Sequence, residues 1–138
     1  MTSNSNGYVN QGALALVGRI LLATLFIVGG VGKLAAPGPT QGYIAAVGLP
    51  VPVLAYVVAL IVELGGGILL LVGYRTKVVA AVLAVFCVVT ALVFHHSFGD
   101  QNQMIHFLKN LAITGGLLQL AAFGPSRIAL DSRVAVAA

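Results

Sequence analysis

Four apolar stretches, approximately Ala13–Leu34, Val51–Val72, Val78–Phe94 and Ile105–Phe123, occupy most of this chain. Crossing about 30 Å of hydrocarbon takes about 20 helical residues, with a working range near 17–25. All four fit, the third only just. Each run is continuous rather than alternating, which excludes transmembrane β-strands. With 59% hydrophobic residues and a mean hydropathy of +1.06, a 138-residue chain cannot hide its apolar surface from water. Lipid must be the solvent. The fold expected is all-α, a polytopic membrane four-helix bundle.

The breaks between stretches carry helix-terminating chemistry: AAPGPTQGY and VGLPVP, then GYRTK, then HHSFGDQNQ. The segment 1–12 (MTSNSNGYVNQG) is polar and uncharged and reads as a disordered tail. It lacks the basic start of a secretory signal, so the first apolar stretch reads as a retained helix. Residues 125–138 read as a C-terminal tail. Placing the N-terminus, the second loop and the C-terminus on one face collects Arg19, Arg75, Lys77, Arg127 and Arg133 there, against Lys33 and Lys109 opposite. That asymmetry predicts a multi-pass protein of the cytoplasmic membrane with both termini inside. The basic residues form no concentrated patch, so nucleic acid is excluded as a partner.

Charge is scarce, with 7 Lys+Arg and 3 Asp+Glu, and much of it lies where it costs most. An ionisable residue at a bilayer centre costs about 2.5–3.5 kcal/mol on insertion scales, so it lines an internal site. Arg19 and Lys33 fall on one side of the first helix. Glu63, the only acid within a span, cannot persist as a lone ion, and Arg19 is its expected partner. That pairing would leave Lys33 and Lys109 uncompensated near the outer face. In the fourth stretch His106, Lys109, Asn110 and Thr114 make one polar stripe, with His95 and His96 across the loop. A net-positive outer pocket of this kind favours an anion, or a head group such as a quinone whose carbonyls accept hydrogen bonds.

Other chemistries find less support. His95 and His96 are adjacent and point about 100° apart on a helix, a poor arrangement for chelation, and no metal site is predicted. A single cysteine, Cys87, excludes an internal disulfide and CxxC chemistry. No P-loop, GxGxxG, HExxH or nucleophile elbow is present. Glycines at 29–30, 65–67 and 115–116 suit close helix packing in lipid.

As a set, Gly18-Arg19, GGVGKL (Gly29–Leu34), Gly48-Leu49-Pro50, Glu63 with LGGGILLLVGYRT to Thr76, His95, FLKNLAITGGLL (Phe107–Leu118) and Leu130-Asp131 resemble the DoxX family of small four-helix membrane proteins. The resemblance runs from about Gly18 to Asp131. It implies a neighbourhood near the membrane subunit of thiosulfate:quinone oxidoreductase and redox or thiol-stress systems. On that basis the chain is a quinone-linked redox subunit working with a peripheral or membrane oxidoreductase. Glu63 and Lys109 are then the candidate catalytic residues, and Arg19, Lys33, His106 and Asn110 line the polar interior. The alternatives are a non-catalytic anchor or assembly subunit docked through Arg75, Lys77, Arg127 and Arg133, or a small carrier for a solute or proton. A homo-oligomer is compatible with each.

Overall fold

The computed structural model describes residues 5–137. It contains six helices and, among the described residues, no strand. They are α1 (Ser5–Ala35), α2 (Pro37–Ala46), α3 (Pro52–Val72), α4 (Thr76–Phe94), α5 (Gln101–Phe123) and α6 (Leu130–Ala137). The four long rods α1, α3, α4 and α5 pack side by side as a bundle, and α2 and α6 lie at opposite ends. We call these the α2 end and the tail end.

Lipid is written on the outside of the bundle. Leu14, Val53, Val85 and Leu118, one on each long rod, are all more than half exposed, and many other large aliphatic side chains point outward with them. An exposed apolar surface this extensive does not occur on a monomeric soluble protein. The core is correspondingly thin and built from small or slender side chains: Ala23, Phe26, Leu70, Ala80, Leu83, Ala84, Cys87 and Leu117. Three segments, Gln11–Ala35, Pro52–Val72 and Thr76–Phe94, are long and apolar enough to cross a membrane. The fourth rod, α5, has the length at 23 residues, but polar residues concentrated in its first ten positions lower its apolarity. The protein is a helical membrane protein.

Helix contact in lipid lacks a hydrophobic drive between rods, so close packing must supply the attraction. Glycines set the approach of α1 and α3. A Cβ on Gly30 would stand 2.6 Å from the Leu64 side chain, and one on Gly67 would stand 3.2 Å from both the Ile27 nitrogen and Phe26 Cβ. These contacts fix an antiparallel register in which Leu64 faces Gly30. Likewise Gly66 meets Leu83 across the α3–α4 interface. The α4–α5 interface is the most extensive, and the α1–α5 side of the ring is the slightest.

Two segments differ from the sequence-based expectation. The helix α1 begins at Ser5, so most of the expected disordered tail is helical, while residues 1–4 lie outside the described residues. The Pro- and Gly-rich break after α1 is itself a helix. Pro37 opens α2, where the missing N–H is no loss and the fixed φ suits the first turn. Ile44 is buried, and Tyr43 stacks on Phe94 at 5.6 Å while its hydroxyl donates to the Phe94 carbonyl at 3.2 Å. The helix α2 therefore lies over the end of α4.

Candidate functional site

The ionisable residues within the bundle fall into two separate groups, with a third set at the tail end. The central one is a pair. Lys33 Nζ lies 2.8 Å from Glu63 Oε2 and 2.9 Å from Oε1, and its hydrogen bond is directed at Oε1. The other oxygen, Oε2, is buried against the same ammonium without a well-directed hydrogen bond of its own. Only 11% of the Glu63 side chain is exposed, against 31% for Lys33. The Tyr56 hydroxyl donates to the Lys33 carbonyl at 3.2 Å and holds this end of α1 against α3. Gly29 lies over the pair: a Cβ there would sit 3.7 Å from Glu63 Oε1 and 3.9 Å from Lys33 Nζ.

Glu63 stands in a single π turn, Ile61–Gly65, inside α3. Such turns insert an extra residue into an α-helix and recur at functional positions. The register of α1 against α3 corrects the expected partner of Glu63. With Leu64 facing Gly30, Glu63 is level with the α1 segment just before Lys33. Arg19 is more than ten residues further along α1, over about 15 Å of rise. The ion pair is therefore Lys33–Glu63, not Arg19–Glu63, and Lys33 is not an uncompensated cation.

Arg19 instead holds the tail end. It is 3% exposed, and its Nη2 donates to the Ile128 carbonyl at 2.8 Å and, more weakly, to Leu71 at 3.5 Å. Its Nε and Nη1 are buried without a partner. Beside it the chain turns from α3 into α4. Gly73 takes a left-handed conformation (φ 72°), and the Tyr74 and Gly73 N–H groups close a Schellman-type cap on the Leu69 and Leu70 carbonyls. Arg75 follows at φ 47°, a strained conformation for a residue with a Cβ. The strain is held in place from the C-terminal segment. The Asp131 carboxylate accepts from the Arg75 N–H at 2.6 Å and the Thr76 N–H at 2.8 Å, and its own N–H donates to the Gly73 carbonyl at 2.9 Å. Asp131 thus serves as an N-cap for α4 from 55 residues away. GYRT and Leu130-Asp131, two separate pieces of the sequence pattern, meet here.

Burial pushes the Asp131 carboxyl upward, but the Thr76 and Arg75 donors and the Arg19 charge outweigh it and hold it below the usual carboxylate range. A depressed folded-state pKa stabilises above the unfolded value and loses that contribution as pH falls through the folded one. Asp131→Asn should therefore cost about 1 kcal/mol at neutral pH, the usual value of a helix cap. The gap between variant and wild type should close below about pH 4. Thermal melting in detergent from pH 7 to pH 3 checks it, and a pH-independent gap would contradict the capping role.

The other group within the bundle lies at the α2 end. The His95 and His106 rings stack with centroids 5.0 Å apart. An ammonium can only donate, so Lys109 Nζ donates to His106 Nδ1 at 2.9 Å, which puts the neutral ring's proton on Nε2. His95 Nδ1–H donates to Gln103 Oε1 at 2.9 Å. Lys109 is exposed, and His106 and Asn110 are half-buried. Asp100, the lone acid of this loop, caps α5 by accepting from the Asn102 and Gln103 N–H groups. The structure joins Lys33 to Glu63 and His106 to Lys109, but it does not bring the two candidate catalytic residues into contact. No group of three His, Cys, Asp or Glu side chains able to hold a metal occurs among the described residues.

Sequence reasoning missed Asp131, Tyr56 and Gln103 as parts of these groups. For Asp131 a signal existed: an acid followed by helix-forming residues in an otherwise acid-poor tail.

The profile of the DoxX family matches residues 14–96, which span α1 to α4 and include the Lys33–Glu63 pair. The chain belongs to the DoxX family. It is 41% identical over 116 residues to the inner membrane protein YqjF of Escherichia coli K12, covering 84% of this chain and 88% of that one. It is 35% identical over 139 residues to the inner membrane protein YphA of the same organism, covering 94% and 99%. No solved structure matches it. The DoxX match ends before α5, so His106 and Lys109 lie outside the family profile, whereas the alignment with YphA covers nearly the whole chain.

Proposed function

We propose that this DoxX protein is a quinone-handling membrane subunit that works with a partner oxidoreductase in the cytoplasmic membrane, with both termini on the cytoplasmic side. The observation that carries the reading is the buried Glu63 carboxylate. It is held by Lys33 through both oxygens on a π turn, with only a glycine over the pair.

A quinone supplies two-electron redox chemistry, and its ring oxygens alternate between accepting and donating hydrogen bonds. The residues present fit such a head group. Glu63 Oε2 can accept from a hydroxyl and take its proton, because Lys33 stabilises the carboxylate when it is charged. Lys33, partly exposed, retains two N–H donors beyond the one directed at Oε1 and can donate to a carbonyl oxygen. The His106–Lys109 pair, nearer the α2 end, is placed to pass protons between the aqueous edge and the interior. The chain has one buried cysteine and no dithiol, so the electrons come from the partner.

Tagged protein purified in mild detergent tests this reading through its co-purifying proteins and extracted quinones. The expected result is near-stoichiometric quinone with the wild type and at least a tenfold loss in Glu63→Gln, with unchanged elution on size exclusion. Lys109→Met should keep the quinone and slow its turnover by about 10²-fold, the usual lower value of a lost proton-transfer group. Wild-type protein without any quinone would overturn the proposal.

One observation favours a second reading, a non-catalytic anchor. Arg75, Lys77, Arg127 and Arg133 are all exposed around the tail end, where they could dock an acidic soluble partner. A stoichiometric partner without quinone, released when these four are neutralised, would select it.

A further inference from the structure

The slight contact between α1 and α5 leaves a lateral groove near the tail end, of about 310 Å³, lined by Ala15, Gly18, Leu22, Gly116, Leu120 and Phe123, among others. That volume is at the lower edge of ligand-sized sites, which start near 300 Å³. Its walls are almost wholly apolar, and Arg19 also lines it. Arg19 is 3% exposed, forms no ion pair within 4 Å among the described residues, and leaves its buried Nε and Nη1 without acceptors. A buried cation with unspent donors is costly unless an anion or acceptor reaches it. At the groove's end lies Gly124, and the Lys77 stem passes 2.9 Å from where a Cβ on it would stand. The groove thus combines an apolar wall in the lipid region with two positive charges at one end.

From this geometry we infer that the groove is a binding site for one anionic phospholipid. Its acyl chain lies between α1 and α5 along Gly18 and Gly116, and its phosphate lies at the end marked by Arg19 and Lys77. Asp131, the acid whose charge Arg19 already feels, is spent on the Arg75 and Thr76 N–H groups, whereas a phosphate, unlike a neutral head group such as a quinone, adds a full negative charge and accepts from several donors at once. Exposed Arg75, Arg127 and Arg133 at the same end of the bundle attract the same lipid class. The site lies at the opposite end of α1 from the Lys33–Glu63 pair, so it is independent of the proposed quinone chemistry.

Gly18 and Gly116 make the test direct. A Cβ on Gly18 meets nothing within 4 Å, and one on Gly116 meets only Leu22 at an ordinary 3.7 Å, so a side chain can begin at either position and extend into the groove. The protein is reconstituted in bilayers of equal phosphatidylglycerol and phosphatidylethanolamine, released into mild detergent and examined by native mass spectrometry. The wild type should retain one lipid, phosphatidylglycerol, enriched at least about fivefold, the value of one basic side chain near an anionic lipid. Gly18→Leu and Gly116→Leu should lose it. Gly32→Leu, equally unobstructed on α1 but outside the groove, should keep it. Lys77→Met leaves the groove open and should reduce the preference for phosphatidylglycerol, which tests the site even where a filled variant does not fold.

Equal retention of both lipids, retention of none, or lipid persisting in both filled variants would overturn the inference. So would quinone in the groove of the wild type, a lipid-free dimer that Gly18→Leu dissociates, or a lipid preference unchanged in Lys77→Met.

Discussion

Lys33→Met should destabilise the bundle by about 3–5 kcal/mol, the usual cost of removing one partner from a buried ion pair. Glu63, 11% exposed in the lipid-embedded bundle, would then have to bear an unpaired charge or take up a proton. The penalty belongs to the orphaned charge rather than to the lost attraction. The double variant Lys33→Met/Glu63→Leu should for that reason recover most of the loss, because two apolar side chains need no partner. The comparison is a double-mutant cycle read by SDS titration in mixed micelles. Losses that simply add would mean that the two residues act independently and would remove the central pair from the site. Activity should follow a different order. The stable double variant should remain inactive, since it lacks the carboxylate proposed to handle the proton.

Gly73→Ala is expected to cost about 2–5 kcal/mol and to release the C-terminal helix. Two penalties combine there. A Cβ at φ 72° lies in the left-handed region, worth about 1–2 kcal/mol for a residue other than glycine. The same Cβ would stand 2.6 Å from Ala129 Cβ and 2.7 Å from Arg19 Nη1, an overpacking that costs about 1–3 kcal/mol more. Relief requires the Ala129 segment to move, which takes Ile128 away from Arg19 and Asp131 away from the start of α4. Proteolysis of the C-terminal segment should accelerate at least tenfold relative to wild type. Gly32→Ala, with nothing near its Cβ, is the control and should change neither stability nor cleavage. Tail cleavage unchanged in Gly73→Ala would show that the contacts through Arg19 and Asp131 do not hold the segment down.

These two sites show which parts of the molecule were legible beforehand. The long apolar rods could be read because burial in lipid demands continuous apolarity over a fixed length, a property of each segment alone. So could the polar residues placed within them. Which of those residues meet depends on register, and register is a property of two helices at once. Arg19 looked like the partner of Glu63 when depth was judged from the edges of the apolar runs. The register set by the Gly30–Leu64 contact puts Glu63 beside Lys33 instead. A π turn changes the helical period locally, so face assignments from a period of 3.6 fail across it.

The short helices were hidden for a related reason. In the segment after α1, Pro and Gly are breakers in general but suitable at a helix start, and tertiary contact between Tyr43 and Phe94 favours the helical choice. Asp131 is adjacent in sequence to nothing that it caps.

By itself, then, the amino-acid sequence determined the solvent, the helical class and which few ionisable residues lie within the apolar stretches. Transfer energies of individual segments decide these things. Only the tertiary structure decided that Lys33 neutralises Glu63, that Arg19 and Asp131 secure the C-terminal segment, and that a groove opens between α1 and α5. Those outcomes rest on distances between segments far apart in sequence, set by where glycine permits one backbone to approach another.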